Sequence, residues 1–398
     1  MDGTVWRLPG PDRLVAQVTG EVQRGRHVAV VLPAQRAAEP SFVEGLLSAI
    51  VHTLRACGEE PRRPRPFEPG LSPLRWLAQC LVFGDELPAV VGDLLDHEDA
   101  AARTAVLDCT GLDAPPPAAM ADLLTRLTLA SRPRPAATRP RVVVVGTRDM
   151  LPQLGPETAD VTFEAVWWWG RLTRWDVACR LAPVVAGEGI LRDVRLETIV
   201  EVSRWDLDLA QYLVRAWDGD PQTLAATVKD AGPGALTPPM VLSHPAWTAR
   251  PHGEVAHLWD GGHLELWQNE HCPSPHSLIP TLDQCVWAAQ SRVLLPWIES
   301  KRQLLVQALV QCFGEPKVNA AAARAAGDPT PIEVGQLFYV VRALPTTDAP
   351  AWREASRQLK AARNRLAHLQ TLTLDDQARL VAACARLGQD GGHGGGSI

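Results

Sequence analysis

Residues 27–47 read HVAVVLPAQRAAEPSFVEGLL, and the order of their chemistry sets the fold of the N-terminal half. His27–Leu32 is a short continuous apolar run rich in β-branched valine, the composition of a strand buried on both faces. A helix is expected over about 41–57, because Phe42, Leu46, Ala49, Ile50 and Leu54 fall at helical spacing. Further along, AVLD at 105–108 and VVVV at 142–145 read as two more buried strands. Helices are expected around 74–83 and 119–129, and RRPRP at 62–66 must be loop, because its prolines remove backbone donors. Strand, helix, strand, helix, strand implies a parallel sheet with helices packed on its faces, an α/β domain.

After the third strand the character changes. Residues 165–182 carry Trp167, Trp168, Trp169 and Trp175. Core packing is one reading of this cluster and a partner-docking surface is the other; three tryptophans in a row cannot all face one way on a regular element. Residues 190–217 read as two amphipathic helices split near Trp205–Asp206, and the Pro-, Gly-, His- and Ser-rich stretch 232–254 reads as a boundary. From Leu282 onward helices are expected over 283–313, with Pro296 as a candidate kink, then 332–343, 351–369 and 374–387, the last opened by Thr373 as N-cap. The resulting plan is an α/β domain over 1–180, a helical extension over 181–231, a linker over 232–281, an all-α bundle over 282–388 and a disordered tail over 389–398.

Composition narrows the chemistry. The 398 residues are 46% hydrophobic and 21% charged, as in a globular protein, and a net charge of −6 gives no global field toward nucleic acid. Lysine occurs only at 229, 301, 317 and 360, which excludes a phosphate-loop lysine or a Schiff-base lysine from the first 228 residues. The start MDGTVWRLPGPDRL lacks the pattern of a secretory signal, and no apolar run reaches membrane-spanning length, so a cytoplasmic protein that does not engage a membrane is expected. Eight cysteines without a CxxC pair read as reduced, buried thiols. His257, His263, His271, Cys272 and His276 lie close in sequence, but adjacent His271–Cys272 suits a tetrahedral zinc site poorly; loop polarity is the expected role, with no metal and no cofactor.

The segments HVAVVLPAQRAAEPSFVEGLL, AARTAVLDCTGLD, RVVVVGTRD and LETIVEVSRWDLDLAQYLVRAWDGD follow the order of a P-loop NTPase over roughly 26–220. Together they resemble the inactive STAND-type domains of bacterial conflict and signalling systems. A working phosphate loop needs glycines that let backbone N–H groups wrap the phosphate, and a lysine to meet its charge. The loop PAQRAAEPS has neither; Pro40–Ser41 stands where the family places its lysine, and Arg36 is the nearest cation. Asp108 occupies the Walker-B position, where a magnesium ligand or a simple loop partner is expected. The resemblance implies a scaffold or sensor that does not hydrolyse ATP.

The segment LKAARNRLAHLQTL, residues 359–372, continues an apolar helical stripe made by Trp352, Ala355, Leu359, Ala362, Leu366 and Leu369. Arg363, Asn364 and His368 lie off it. Arg363 and His368, five residues apart, are separated by about 140° around the helix and could flank a groove. This pattern resembles the HEPN superfamily of all-helical domains, whose nuclease members carry Arg, a polar residue and then His. The resemblance implies metal-independent RNA cleavage, with His368 as general base or acid, Arg363 stabilising charge on the scissile phosphate and Asn364 orienting backbone or base. It further implies homodimerisation through the C-terminal domain and protein partners in a conflict system, the α/β domain receiving the signal. Any RNA contact would come from a local arginine groove around Arg363 and Arg365. The alternative is a non-enzymatic adaptor that assembles partners such as MoxR-type ATPase and vWA proteins.

Overall fold

The computed structural model describes residues 5–63, 67–68, 70–83, 87–111, 114–152, 161–232, 248–326, 332–345, 349–385 and 387. In chain order its elements begin with α1 (Pro9–Gln23), β1 (His27–Val31), α2 (Ala34–Ala37), α3 (Pro40–Ala56), β2 (Pro61–Arg62), α4 (Pro73–Leu81) and α5 (Val91–Asp96). They continue with β3 (Thr104–Asp108), α6 (Pro117–Ser131), β4 (Arg141–Gly146), β5 (Phe163–Trp167), α7 (Arg174–Leu181), α8 (Gly189–Ser203), α9 (Leu207–Ala216) and α10 (Pro221–Asp230). The remainder are α11 (Gly253–Asp260), β6 (Leu264–Trp267), β7 (Glu270–Pro273), α12 (Leu282–Phe313), α13 (Glu315–Ala326), α14 (Val334–Ala343), α15 (Ala349–Ala367) and α16 (Leu374–Ala385). The chain divides into unit 1, Met1–Asp176 with Ala235–Ser274, and unit 2, Val177–Gly234 with Pro275–Ile398.

Unit 1 is the α/β domain. Its sheet has five parallel strands in the order β2-β3-β4-β1-β5, with Val28 opposite Val143 and Ala29 opposite Ala165. Every residue of β1 and β4 is buried, as their unbroken valine runs require when helices cover both faces. Two strands depart from the sequence reading. Pro61–Arg62, inside or beside the stretch expected as loop, is a two-residue edge strand beside Thr104–Ala105; proline is tolerated there because an edge leaves its missing N–H without consequence. The other edge, β5, is the start of the tryptophan cluster.

That cluster is resolved by strand alternation. Trp167, Trp168 and Trp169 are all buried. Trp167 and Trp169 meet Trp259, with ring centroids 5.6 and 6.4 Å apart, while Trp168 packs on Trp6 and Phe42 at 5.5 and 5.1 Å. Trp175 is different: it is 74% exposed.

Within the 232–281 stretch read as a linker, residues 248–274 are a folded element of unit 1. Helix α11 leads into an antiparallel hairpin, β6–β7, whose turn Gln268–Asn269 has φ of 52° and 66°, the left-handed pair that matches strand twist in a two-residue turn. The unit division also groups 177–234 with the C-terminal helices, where the sequence reading had separated an extension at 181–231 from the bundle.

Unit 2 is helical throughout its described residues. Its C-terminal part has α13 between the first and second expected helices, so five helices stand where four were read. Helices α8 and α9 separate at Asp206, whose carboxylate accepts from the Asp208 and Leu209 N–H groups as N-cap. Thr373 caps α16 as expected: its hydroxyl accepts from the Asp376 N–H at 3.2 Å. Helix α12 runs through Pro296 without interruption and packs on α8 and α15. Buried Gln290 on α12 both donates to the Leu372 carbonyl and accepts from its N–H, each at 2.7 Å, pinning the α15–α16 connection. No helix among the described residues is long and apolar enough to cross a membrane. The tail 389–398 lies outside the described residues.

Candidate functional site

Helix α15 sorts its residues by burial as its sequence pattern dictates. Trp352, Ala355, Leu359, Ala362 and Leu366 are at most 5% exposed and hold the helix in the bundle. Leu369 breaks the expected stripe: it lies beyond the helix, 69% exposed, at a φ of 57°. The reason is the helix end. The Gln370 N–H donates to the Arg365 carbonyl and the Leu369 N–H to that of Leu366, the double closure of a Schellman motif, with Leu369 in the left-handed position more often taken by glycine.

His368 is therefore the C-terminal capping residue of α15, its N–H donating to the Asn364 carbonyl at 3.0 Å and its side chain exposed. Arg363 is exposed and Asn364 half-buried, and an Arg363 Nη1–H donates to the Asn364 side-chain oxygen at 3.4 Å. Arg363 also lines a cleft of about 260 Å³ with Leu295, Ile298, Glu299, Arg302, Ile332, Glu333 and Val334. His368 is not among the lining residues. The three motif residues thus share one solvent-facing end of α15, but only Arg363 opens onto the cleft.

The arginine groove needs a correction. Arg365 is committed to structure: it forms an ion pair with Asp376 and donates to the Thr371 carbonyl at 2.8 Å. Burial opposes the Asp376 charge, but hydrogen bonds from Arg379 and Thr373 and the nearby Arg365 hold that carboxyl down at about 2. Asp376 is therefore a permanent anion that neutralises the Arg365 charge.

In unit 1 the loops after β1 and β4 bond to the end of α11. The Ala34 N–H, at the head of α2, donates to Asp260 Oδ1 at 2.9 Å. Asp260 also pairs with Arg148 at 3.5 Å, and Arg148 shares a 2.8 Å hydrogen bond with His257. Arg36 pairs with Glu39 at 2.8 Å and stacks near Phe42. Asp108 Oδ1 accepts from the Thr110 N–H and hydroxyl at 2.9 and 2.7 Å, so the carboxylate is a partner of its own loop. Of the His/Cys group, the His271 ring lies tilted against Trp169 with centroids 5.6 Å apart, Cys272 is buried beside the Trp267 carbonyl, and His276 lies 4.0 Å from Asp206. Among the described residues no group of three or more His, Cys, Asp or Glu side chains is placed to hold a metal ion. The eight cysteines are free thiols, five buried and Cys57, Cys179 and Cys312 exposed.

One titratable residue escaped the sequence reading. Glu265, on β6, is buried among tryptophans and accepts from the Gly170 N–H at 3.0 Å, the Trp259 indole N–H at 3.1 Å and its neighbour Leu266 N–H at 3.0 Å. Burial pushes its carboxyl up to about 7, the three donors and Arg36 pulling the other way. The run LELW has the strand alternation of an outward-facing glutamate, and Trp259 of α11 together with Gly170 after β5 closes over the position. Between the ordinary carboxyl value and 7 the folded protein holds one more proton than the unfolded chain. Its stability therefore falls as pH rises through that window, by about 3 kcal/mol in all. Urea unfolding at pH 5 and pH 8 tests this: Glu265→Gln is expected to remove most of the difference shown by the wild type, and equal pH dependence in the two proteins would refute it.

Comparison of the chain with protein-family models, with curated proteins and with solved structures returns no match.

Proposed function

We propose that the chain is a metal-independent ribonuclease of the HEPN-like kind, in which the helical unit 2 carries the chemistry and the α/β unit 1 is a STAND-like scaffold or sensor that does not hydrolyse nucleotide. The observation that carries the reading is the placement of Arg363, Asn364 and His368: all three stand clear of the buried stripe of α15, at one accessible end, with Arg363 on a cleft. In that role His368 moves a proton at the ribose 2′-oxygen or the leaving oxygen, Arg363 faces the negative charge growing on the phosphate, and Asn364 steadies Arg363. Because Arg363 and His368 of one chain do not line the same cleft, the reading includes a homodimer that pairs two motifs. The scaffold role of unit 1 is supported by the glycine-free loop after β1 and by the Asp260 carboxylate on the Ala34 N–H. A bacterial conflict or stress-response setting follows from the same resemblance.

A second reading, a non-enzymatic adaptor, is favoured by Trp175, a 74% exposed tryptophan of the type that anchors protein interfaces. RNA degradation by the purified chain in EDTA, wild type beside His368→Ala and Arg363→Ala, separates the two. Loss of cutting in both variants supports the nuclease; intact RNA with the wild type, or undiminished cutting by the variants, supports the adaptor.

A further inference from the structure

We propose that the exposed face formed by α14 and α15 beside Arg363 is a platform for single-stranded RNA, with Tyr339 stacking on a base and Arg342, Lys360 and Arg363 meeting phosphates. The inference rests on the RNA reading of α15 and extends it from a cleavage motif to the class of RNA bound.

The platform is visible in side-chain geometry. Tyr339 keeps 49% of its surface exposed, and Phe338 meets it edge-on with centroids 5.4 Å apart. Lys360 Nζ sits 4.4 Å from the Tyr339 ring centroid and 5.2 Å from that of Phe338, and donates to the Tyr339 hydroxyl at 3.2 Å. Arg342 lies 5.6 Å from the Phe338 centroid. The tyrosine ring is thus held in place at the surface by neighbours, so a base that stacks on it orders little that is not already ordered.

Charge is arranged to match. Among the described residues of the same helical unit, Arg292, Arg302, Arg357, Arg365 and Arg379 are ion-paired to carboxylates, whereas Lys301, Lys317, Arg324 and Arg353 are not, so it is the neighbouring ring and not the lack of a pair that marks the face. Arg342, Lys360 and Arg363 have no ion-pair partner among the described residues. The two carboxylates in the Arg363 cleft are already engaged: Glu299 is bound by Arg302, which holds its carboxyl below the usual range, and Glu333 caps α14. Three cations and an exposed ring on one face are the pairing that single strands use, backbone charge with base-face stacking. A duplex hides its base faces, so it lacks the second half of this recognition. Lys360 precedes Arg363 by about one turn of α15 and His368 by about 12 Å along the axis, so a strand seated on Tyr339 can run past Arg363 toward the helix end.

The test uses the full chain and a short fluorescein-labelled oligouridylate with methylated 2′-hydroxyls, which can bind but cannot be cut. By fluorescence anisotropy, Tyr339→Leu is expected to weaken binding roughly 5- to 100-fold while Tyr339→Phe stays near wild type. Lys360→Gln is expected to weaken binding and to reduce the salt slope by about 0.7. Equal binding by wild type and Tyr339→Leu overturns the platform, as does no binding by the wild type. An oligoglutamate peptide that binds as tightly with the same Tyr339 dependence also overturns it, moving the face to a protein partner. Because the probe cannot react, binding with the expected variant effects but no cleavage of ordinary RNA refutes the catalytic reading and leaves the platform standing.

Discussion

His368→Ala, on the proposed assignment, slows RNA cleavage by roughly 10²- to 10⁴-fold, the range a positioned general acid or base supplies. Arg363→Ala slows it by roughly 10²- to 10³-fold, as when one charge-stabilising group is lost. Neither variant is expected to shift the melting temperature. The His368 side chain is exposed, and its part in closing α15 is played by its backbone N–H, which alanine retains. Among the described residues the Arg363 side chain makes a single hydrogen bond, 3.4 Å to Asn364, and it lines a cleft open to solvent. Arg365→Ala provides the opposite control two residues away. It removes the Asp376 ion pair and the bond to Thr371, so it is expected to lower stability while the folded fraction keeps its cleavage rate. If Arg365→Ala abolished cutting in a fully folded sample and His368→Ala did not, the assignment of roles along α15 would be wrong.

The sheet was legible where its strands are buried on both faces, and illegible at its edges. β1, β3 and β4 are runs such as VAVV and VVVV, whose unbroken apolar character reports burial directly. β2 is two residues long and begins with proline; it is a strand only because Thr104–Ala105 offers it a partner. β5 hides inside a tryptophan cluster whose alternation becomes visible only when Trp6, Phe42 and Trp259 arrive from distant parts of the chain. Pairings of that kind are made by tertiary structure, and local pattern carries no record of them. The hairpin at 264–273 was illegible for a local reason, its turn being Gln-Asn where glycine is the usual marker.

The candidate site divides in the same way. Helical periodicity sufficed to place Arg363, Asn364 and His368 off the buried stripe of α15. It could not foresee that α15 stops at Ala367, which swings Leu369 into solvent and gives His368 a capping position. Nor could it foresee that Arg365 is claimed by Asp376, a residue of the next helix. Tyr339 and Lys360 lie twenty-one positions apart on separate helices, and only the packing of α14 on α15 makes them one face.

Two glycines of α1 are expected to respond to alanine with opposite signs, and the contrast isolates close packing from helix propensity. Gly20 faces open space, with nothing within 4 Å of an added Cβ. Gly20→Ala therefore restricts the unfolded chain at no steric cost and is expected to stabilise by about 0.5–1 kcal/mol. Gly10, in the first turn, is seated against the 171–176 segment. Its N–H donates to Asp176 Oδ1 at 2.9 Å, and an added Cβ would lie far inside contact distance of the Arg171 carbonyl oxygen and 2.7 Å from Asp176 Oδ2. Backbone cannot step aside as a flexible side chain can, so the whole segment must move. Asp176 is fully buried and also accepts from the Thr173 N–H at 2.7 Å and hydroxyl at 2.5 Å, so that movement breaks the hydrogen bonds of a buried acid together with the packing. Gly10→Ala is expected to cost about 3 kcal/mol or more, overpacking and lost hydrogen bonds acting together. Urea unfolding of the two variants beside wild type measures the difference, about 4 kcal/mol between them. A Gly10→Ala protein as stable as Gly20→Ala would mean that the helix and the 171–176 segment do not meet as described.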